Sequence, residues 1–287
     1  MVGTTKDRTK THVGREIETA LTSLNNQHAY FLFLEFQFLE QIRGLTITSA
    51  TKVTTEAFPR NRYAPKIRVR IRDLQAFGEA HRSATFGAYF ATSYEIAASF
   101  TGRALDSLQH FNQRSLPPRA RRPEGPEETY WRVLNLWGLA LPARELIDTL
   151  KFMRYRRNSL IHLSKVPSPS YQNLASQSGS VLNAFWTRGQ VEIDFRIPAT
   201  TPLTEREALD LLKLLRIVIQ RLDTHFASII DERGLVQAEA RRLFGGNKRR
   251  INIELRTSLL RTQILHDYGL SPRESYLRAA ARSVGTA

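Results

Sequence analysis

Between Arg154 and His162 the chain gathers Arg154, Arg156, Arg157, Asn158 and His162 within a few residues. It has only seven histidines, so one placed this close to an Arg-Asn pair invites a chemical reading. Histidine titrates near neutrality and can take or give a proton. Arginine stays protonated and can lie against a phosphate that is gathering negative charge. RNA carries its own nucleophile, the 2′-hydroxyl. A base for that proton, an acid for the 5′-oxygen and a fixed positive charge beside the phosphorus suffice to cut it without a metal. The products would carry 2′,3′-cyclic phosphate ends. No carboxylate cluster suited to two-metal chemistry stands out. The absence of cysteine excludes disulfides, thiolate metal sites and a cysteine nucleophile.

Spacing limits how these groups can cooperate. Asn158 and His162 are four apart and share one face of a helix. Arg157 and His162 are five apart, about 140° around a straight helix. From the middle of a regular helix they would not converge on one phosphate. They could do so if Arg157 lies at a helix start, or if a second subunit supplies the partner. The assigned roles are His162 as general base or acid, Arg157 as phosphate stabiliser, and Asn158 orienting His162 or the phosphate. Arg154 and Arg156 are auxiliary phosphate contacts. The competing reading is a solvated basic helix whose histidine is held by a backbone partner.

The whole chain is basic. It has 287 residues, a net charge of +15 and a pI near 10.5, and arginine supplies 34 of its 42 basic residues. Hydrophobic residues make up 41% and charged residues 24%, so the chain has the composition of a folded protein rather than of a basic tail. A pI above about 9 is the electrostatic footprint of a nucleic-acid binder. Arginine adds two-pronged contacts to phosphate. A GC-rich coding bias would explain the arginine-to-lysine ratio but not the net charge. The N-terminal stretch has no apolar run, and the most apolar stretch, Tyr30 to Leu34, is too short to cross a membrane. A cytoplasmic protein with no membrane partner is the expectation.

Several elements must position the motif. Helical spacing of Ile17, Ala20, Leu21 and Leu24 predicts a helix over 14–43, closed by Gly44. Its second half is apolar nearly all round and lies either in the core or against another subunit. Residues 45–71 read as strand: first a β-branched run, then Ile67, Val69 and Ile71 alternating with Arg68 and Arg70. A long helix is predicted over 73–113, followed by a Pro-rich charged linker over 115–128. That linker carries Arg119, Arg121 and Arg122 as further RNA contacts. Helices follow over 127–139 and from Pro142 through the motif, with Leu146, Ile147, Leu150 and Met153 facing the core and Pro167 and Pro169 ending the run. Residues 189–198 show the clearest strand alternation. A helix then opens at Thr204 with Glu207 as a capping box. A basic turn covers 241–250, INIEL forms a short strand, and helices near 256–268 and 272–282 complete the chain.

Arg157-Asn158-Ser-Leu-Ile-His162 resembles the signature of the HEPN superfamily, an Arg, then four to six intervening residues, then a His, most often with Asn, Asp, His or Lys directly after the Arg. The strict Arg-Asn form occurs once. The loose form recurs at Arg103 to His110 and Arg261 to His266. The resemblance spans 72–232 at most, and residues match only at the motif. It implies an α-helical bundle with the motif on a late helix, and a metal-independent ribonuclease with no cofactor and no metal, used in toxin–antitoxin or antiphage abortive-infection systems. It also implies a homodimer whose two motifs meet at the interface. Some members carry a tyrosine two residues after the His, the target of an adenylylating antitoxin, and a small residue directly after it. Here those positions hold Ser164 and Leu163.

The expected fold is therefore mainly α, a HEPN-like helical bundle with a few inserted strands. Residues 1–71 would form an N-terminal helix plus a short β segment. Residues 72–240 would form the helical domain with a strand near 189–198, and 241–287 the basic turn and last helices. The expected partners are RNA, with tRNA or mRNA first, a second copy of the chain, and an antitoxin or activator. Two other functions stay open: a non-catalytic RNA- or DNA-binding helical module, and a structural or regulatory protein that oligomerises through its N-terminal helix.

Overall fold

Two long helices, α1 (His12–Ser49) and α4 (Ile71–Asn112), frame the molecule. The structure is a computed structural model that describes residues 11–118, 120, 123–187, 191–245 and 251–284. It is mainly α: helices take up 76% of it. At 1.5 Å per residue, α1 runs about 57 Å. The two helices are antiparallel, because Arg103 pairs with Glu16, Arg82 with Glu35 at 2.9 Å, and Ile42 packs with Ile71 and Leu74.

The first half of α1 is the part most deeply built into the main core. Val13, Ile17 and Leu21 are buried, as is His28. Beyond that, Tyr30, Phe33, Leu34, Phe36 and Phe38 are each more than 40% exposed. The segment with apolar residues all round is therefore largely at the surface of this chain. No Lys or Arg occurs between Arg15 and Arg43, an uncommon gap in so basic a sequence.

The strands expected over 45–71 do not form. Residues 45–49 continue α1 through Gly44, and the rest holds two single-turn helices, α2 (Thr54–Ala57) and α3 (Ala64–Ile67). Among the described residues one isolated bridge, Val53 to Arg70, is the sole strand-like pairing. Two effects override the β-branched run. Thr46 donates its hydroxyl to the Ile42 carbonyl at 2.9 Å, as threonine can inside a helix. Leu45 also packs with Ile42 against Ile71 and Leu74, which rewards helical continuation. Pro65 sits in the first turn of α3, which breaks the Ile-Val-Ile alternation at its start.

The bundle is completed by α5 (Pro126–Leu136), α6 (Arg144–Ile161), α7 (Pro169–Trp186) and α8 (Glu205–Ile229). They share one core with α1 and α4, including Phe90, Phe100, Leu134, Ile147, Met153, Leu182 and Phe226. The α7 helix has no counterpart in the sequence expectation, where Pro167 and Pro169 only end the preceding run. Ser168 caps it by accepting from the Tyr171 N–H, and Pro169 occupies the first position, which is where a helix tolerates proline.

Residues 191–198 of the expected strand are irregular instead, and 189–190 lie outside the described residues. A lone strand has no ladder partner to satisfy its backbone. Phe195 packs edge-on against Phe152 at 4.8 Å, its N–H donates to Asn183 Oδ1 at 2.9 Å, and Asp194 closes a turn by accepting from Arg196 N. α7 meets this loop at Gly179, where a Cβ would stand 2.8 Å from the Phe195 carbonyl oxygen and Arg196 Cα.

The last helices, α9 (Glu232–Phe244), α10 (Ile253–Tyr268) and α11 (Glu274–Ser283), form a second apolar cluster with Phe111 of α4. The boundary expected at 240 falls inside α9, and the natural break is at Asp231, which caps α9 by accepting from Gly234 N. The INIEL strand is absent: Asn252 caps α10 and Ile253 begins it. Of the expected basic turn, 246–250 lie outside the described residues. Among the described residues no helix is long and apolar enough to cross a membrane.

Candidate functional site

The motif lies at the C-terminal end of α6. Leu146, Ile147, Leu150 and Met153 form the stripe that fixes the helix in the core, all at most 4% exposed. Arg157 sits about four turns into a regular helix. That removes one of the two routes to a convergent site, a position at the helix start. His162 is the C-cap, with its backbone N–H donating to the Asn158 carbonyl at 3.0 Å.

The three arginines have different environments. Arg156 is 1% exposed. Its Nε and Nη2 donate to the two Glu207 oxygens at 2.7 and 3.0 Å, and Nη1 donates to the Ala199 carbonyl at 3.1 Å. A guanidinium so enclosed ties α6 to the start of α8 and does not reach an RNA phosphate. The sequence pattern makes Glu207 half of a capping box with Thr204. Thr204 does accept from the Glu207 N–H at 3.2 Å, but the Glu207 carboxylate turns to Arg156.

Arg154 is also occupied. Its Nε donates to Glu127 and its Nη2 to Glu128, each at 2.8 Å, at the start of α5. Glu127 is 1% exposed. Burial pushes its carboxyl pKa up, against the pull of Arg154. This is a structural ion pair, and the auxiliary phosphate role does not fit it.

Arg157 is held more loosely. Its Nη2 pairs with Glu95 of α4, whose side chain is 56% exposed, and its Nη1 donates to Asn158 Oδ1 at 2.8 Å. Its Nε is buried without a partner. Asn158 therefore orients the arginine in this chain rather than the histidine. His162 is exposed, and among the described residues its ring has no hydrogen-bond partner. The backbone-held histidine of the competing reading is not what the structure contains. Glu95 was missed from the sequence, because nothing local marks which carboxylate of a neighbouring helix faces the motif.

Next to His162, the end of α6 and the middle of α4 enclose an open groove of about 700 Å³. Its floor is Ser83, Ala84, Gly87, Ala88 and Ala91, and its wall includes Leu160, Ile161 and Leu163. Ile161, Leu163 and Val166 are exposed at 48%, 85% and 71%. Leu163 adopts the left-handed conformation at φ 48° that glycine usually supplies after a helix, and the Ser164 N–H donates to the Ser159 carbonyl to close the helix end.

The loose matches are differently placed. Arg103 pairs with Glu16, Arg261 with Glu274, and His266 with Asp267 at 2.8 Å. Arg119, Arg121 and Arg122 lie outside the described residues. Among the described residues, no group of three His, Asp or Glu side chains is placed to hold a metal ion.

No protein-family model, curated protein or solved structure matches this chain.

Proposed function

We propose that this protein is a metal-independent endoribonuclease that works as a two-fold homodimer, with His162 and Arg157 from different copies acting on one phosphate. The observation that carries the reading is the exposed, unpartnered ring of His162 beside an apolar groove. Like neighbours of that groove, Ile161 and Leu163 flank the histidine directly. Pairing such a surface across a two-fold axis would draw two copies of His162 toward one cleft.

The chemistry asks little of the chain. A base takes the 2′-hydroxyl proton as that oxygen attacks phosphorus. The bond from phosphorus to the 5′-oxygen breaks, and the leaving oxygen takes a proton. His162 serves one of these proton steps, and Arg157 neutralises the phosphorane. Arg157 is available for this because its partner Glu95 is exposed, and solvent screens their attraction from that side. Asn158 keeps its guanidinium oriented.

The test is a denaturing gel of total tRNA and an unstructured RNA, incubated with wild type or His162→Ala, with and without EDTA. Cleavage that survives EDTA and is lost in the variant is the expected result. A fully active His162→Ala would overturn the assignment. A toxin or antiphage role adds that expression arrests growth and that His162→Ala relieves the arrest. The net charge of +15 favours, as a second reading, a helical module that binds RNA without cutting it. That reading predicts binding with steep salt dependence and no cleavage in either protein.

A further inference from the structure

The C-terminal end of α4 and one face of α9 enclose a second cleft, of about 550 Å³, away from the motif in sequence. Its construction follows from helical periodicity. Asp106, Gln109 and His110 fall on one face of α4 with its C-cap Gln113 beside them, and Gly234, Gln237 and Arg241 fall on one face of α9. The two helices approach closely at Gly234, where a Cβ would overlap the Phe111 carbonyl, and the cleft opens beside that contact.

Among the described residues most arginines are tied to carboxylates or backbone carbonyls. The cleft departs from that pattern. Among the described residues the side chains of Asp106, Gln109, His110, Gln113, Gln237 and Arg241 have no hydrogen-bond or ion-pair partner, and all six line this one space. Arg114, on the rim, spends one N–H on the Trp137 carbonyl. The fixed charges are Arg114 and Arg241 against Asp106, which leaves the cleft net positive.

We infer that this cleft binds a phosphorylated ribonucleoside, either free or as one unit of an RNA strand. Arg241 offers an uncommitted fork for a phosphate. The glutamine amides present donor and acceptor side by side, as a base edge requires. The Asp106 carboxylate can accept from ribose hydroxyls, and the His110 ring offers a face for stacking. The volume falls in the range of small-ligand sites, roughly 300–1,000 Å³. This site is independent of the ribonuclease reading and stands if that reading fails.

The experiment is calorimetric titration of the full chain carrying His162→Ala, which prevents cleavage at the proposed catalytic site. The probes are AMP, GMP, CMP and UMP, and a 2′-O-methyl hexanucleotide. Arg241→Ala, Asp106→Asn and, as a charge control, Arg60→Ala are compared in the same background. All three positions are exposed or line open space, and circular dichroism verifies their folding. The expected result is saturable binding that Arg241→Ala weakens about tenfold or more, while Arg60→Ala changes it less than about twofold. Binding of the mononucleotides identifies a free nucleotide as the source. Binding of the hexanucleotide alone identifies the strand. No saturable binding of either, or equal weakening by Arg60→Ala and Arg241→Ala, would overturn the inference.

Discussion

Arg156 and Glu207 form a two-bond clasp between α6 and α8, with Nε and Nη2 at 2.7 and 3.0 Å from the two carboxylate oxygens. The guanidinium is 1% exposed, so neither water nor RNA can replace the carboxylate. Removing Glu207 leaves the buried guanidinium unmatched, at a cost of about 3–5 kcal/mol. Glu207→Ala should therefore lower stability in urea by about that much, and Arg156→Ala by less, because the carboxylate it leaves behind is 27% exposed. Arg156→Met combined with Glu207→Leu should recover most of the loss, since two apolar groups leave no charge stranded. A Glu207→Ala protein as stable as wild type would show that the clasp contributes nothing.

This clasp also marks the limit of sequence reading. The helical periodicity around Leu146 to Met153 and the long helix after Asp73 were legible, because each signal is local and repeats. So was the Thr204 cap. The motif residues were legible as types, but the partners that sort them were not. Glu207 is far along the chain from Arg156, and Glu127 and Glu128 are on a different helix from Arg154. Only the packing of α5, α6 and α8 brings them together. The lost strands fail for the same reason. Alternation at 191–197 is a local signal, whereas a strand needs a second strand beside it, and Phe195 found Phe152 instead.

Leu163 holds φ 48° at the end of α6 while 85% exposed. A left-handed non-glycine residue costs roughly 1–2 kcal/mol through its Cβ. Leu163→Gly should relieve this and stabilise the isolated chain by about 1 kcal/mol in a denaturant titration, after the gain is offset by added unfolded-state freedom. The same change deletes an apolar side chain beside His162. If the groove is the dimer contact, sedimentation will show weaker self-association together with higher chain stability. Destabilisation of the isolated chain would mean that the left-handed backbone carries no strain.

His28 supplies one part of the pH dependence, and His225, whose pKa burial also lowers, acts in the same direction. His28 is 2% exposed, lies edge-on to Phe86 at 5.3 Å, and its Nε2 has no partner. Burial holds its pKa below the ordinary 6.5, with Glu205 opposing. Between the folded and unfolded values the unfolded chain binds more protons, so stability rises with pH there. The contribution is complete above the unfolded value and is lost as pH falls through the folded one. Thermal midpoints should therefore drop as pH falls below the ordinary histidine range, about 6.5. His28→Leu should flatten that slope and add roughly 1–3 kcal/mol by removing an unsatisfied buried nitrogen. An unchanged slope in the variant would place the titrating group elsewhere.

The proposed composite site makes a prediction that a single-chain site cannot. Arg157 pairs with Glu95 on α4, whereas His162 ends α6 in solvent, and the proposed dimer takes one of the two from each copy. Arg157→Ala and His162→Ala should each abolish cleavage. Mixed after partial unfolding and refolding together, they form heterodimers in which one site pairs an intact His162 with the other copy's intact Arg157. With random assortment half of the dimers are mixed and each has one working site, so about a quarter of wild-type activity should return. The recovery should follow the fraction of mixed dimers when the input ratio is varied. No recovery at any ratio, with both variants dimeric, would mean that each site is complete within one chain and that the two-fold arrangement is wrong.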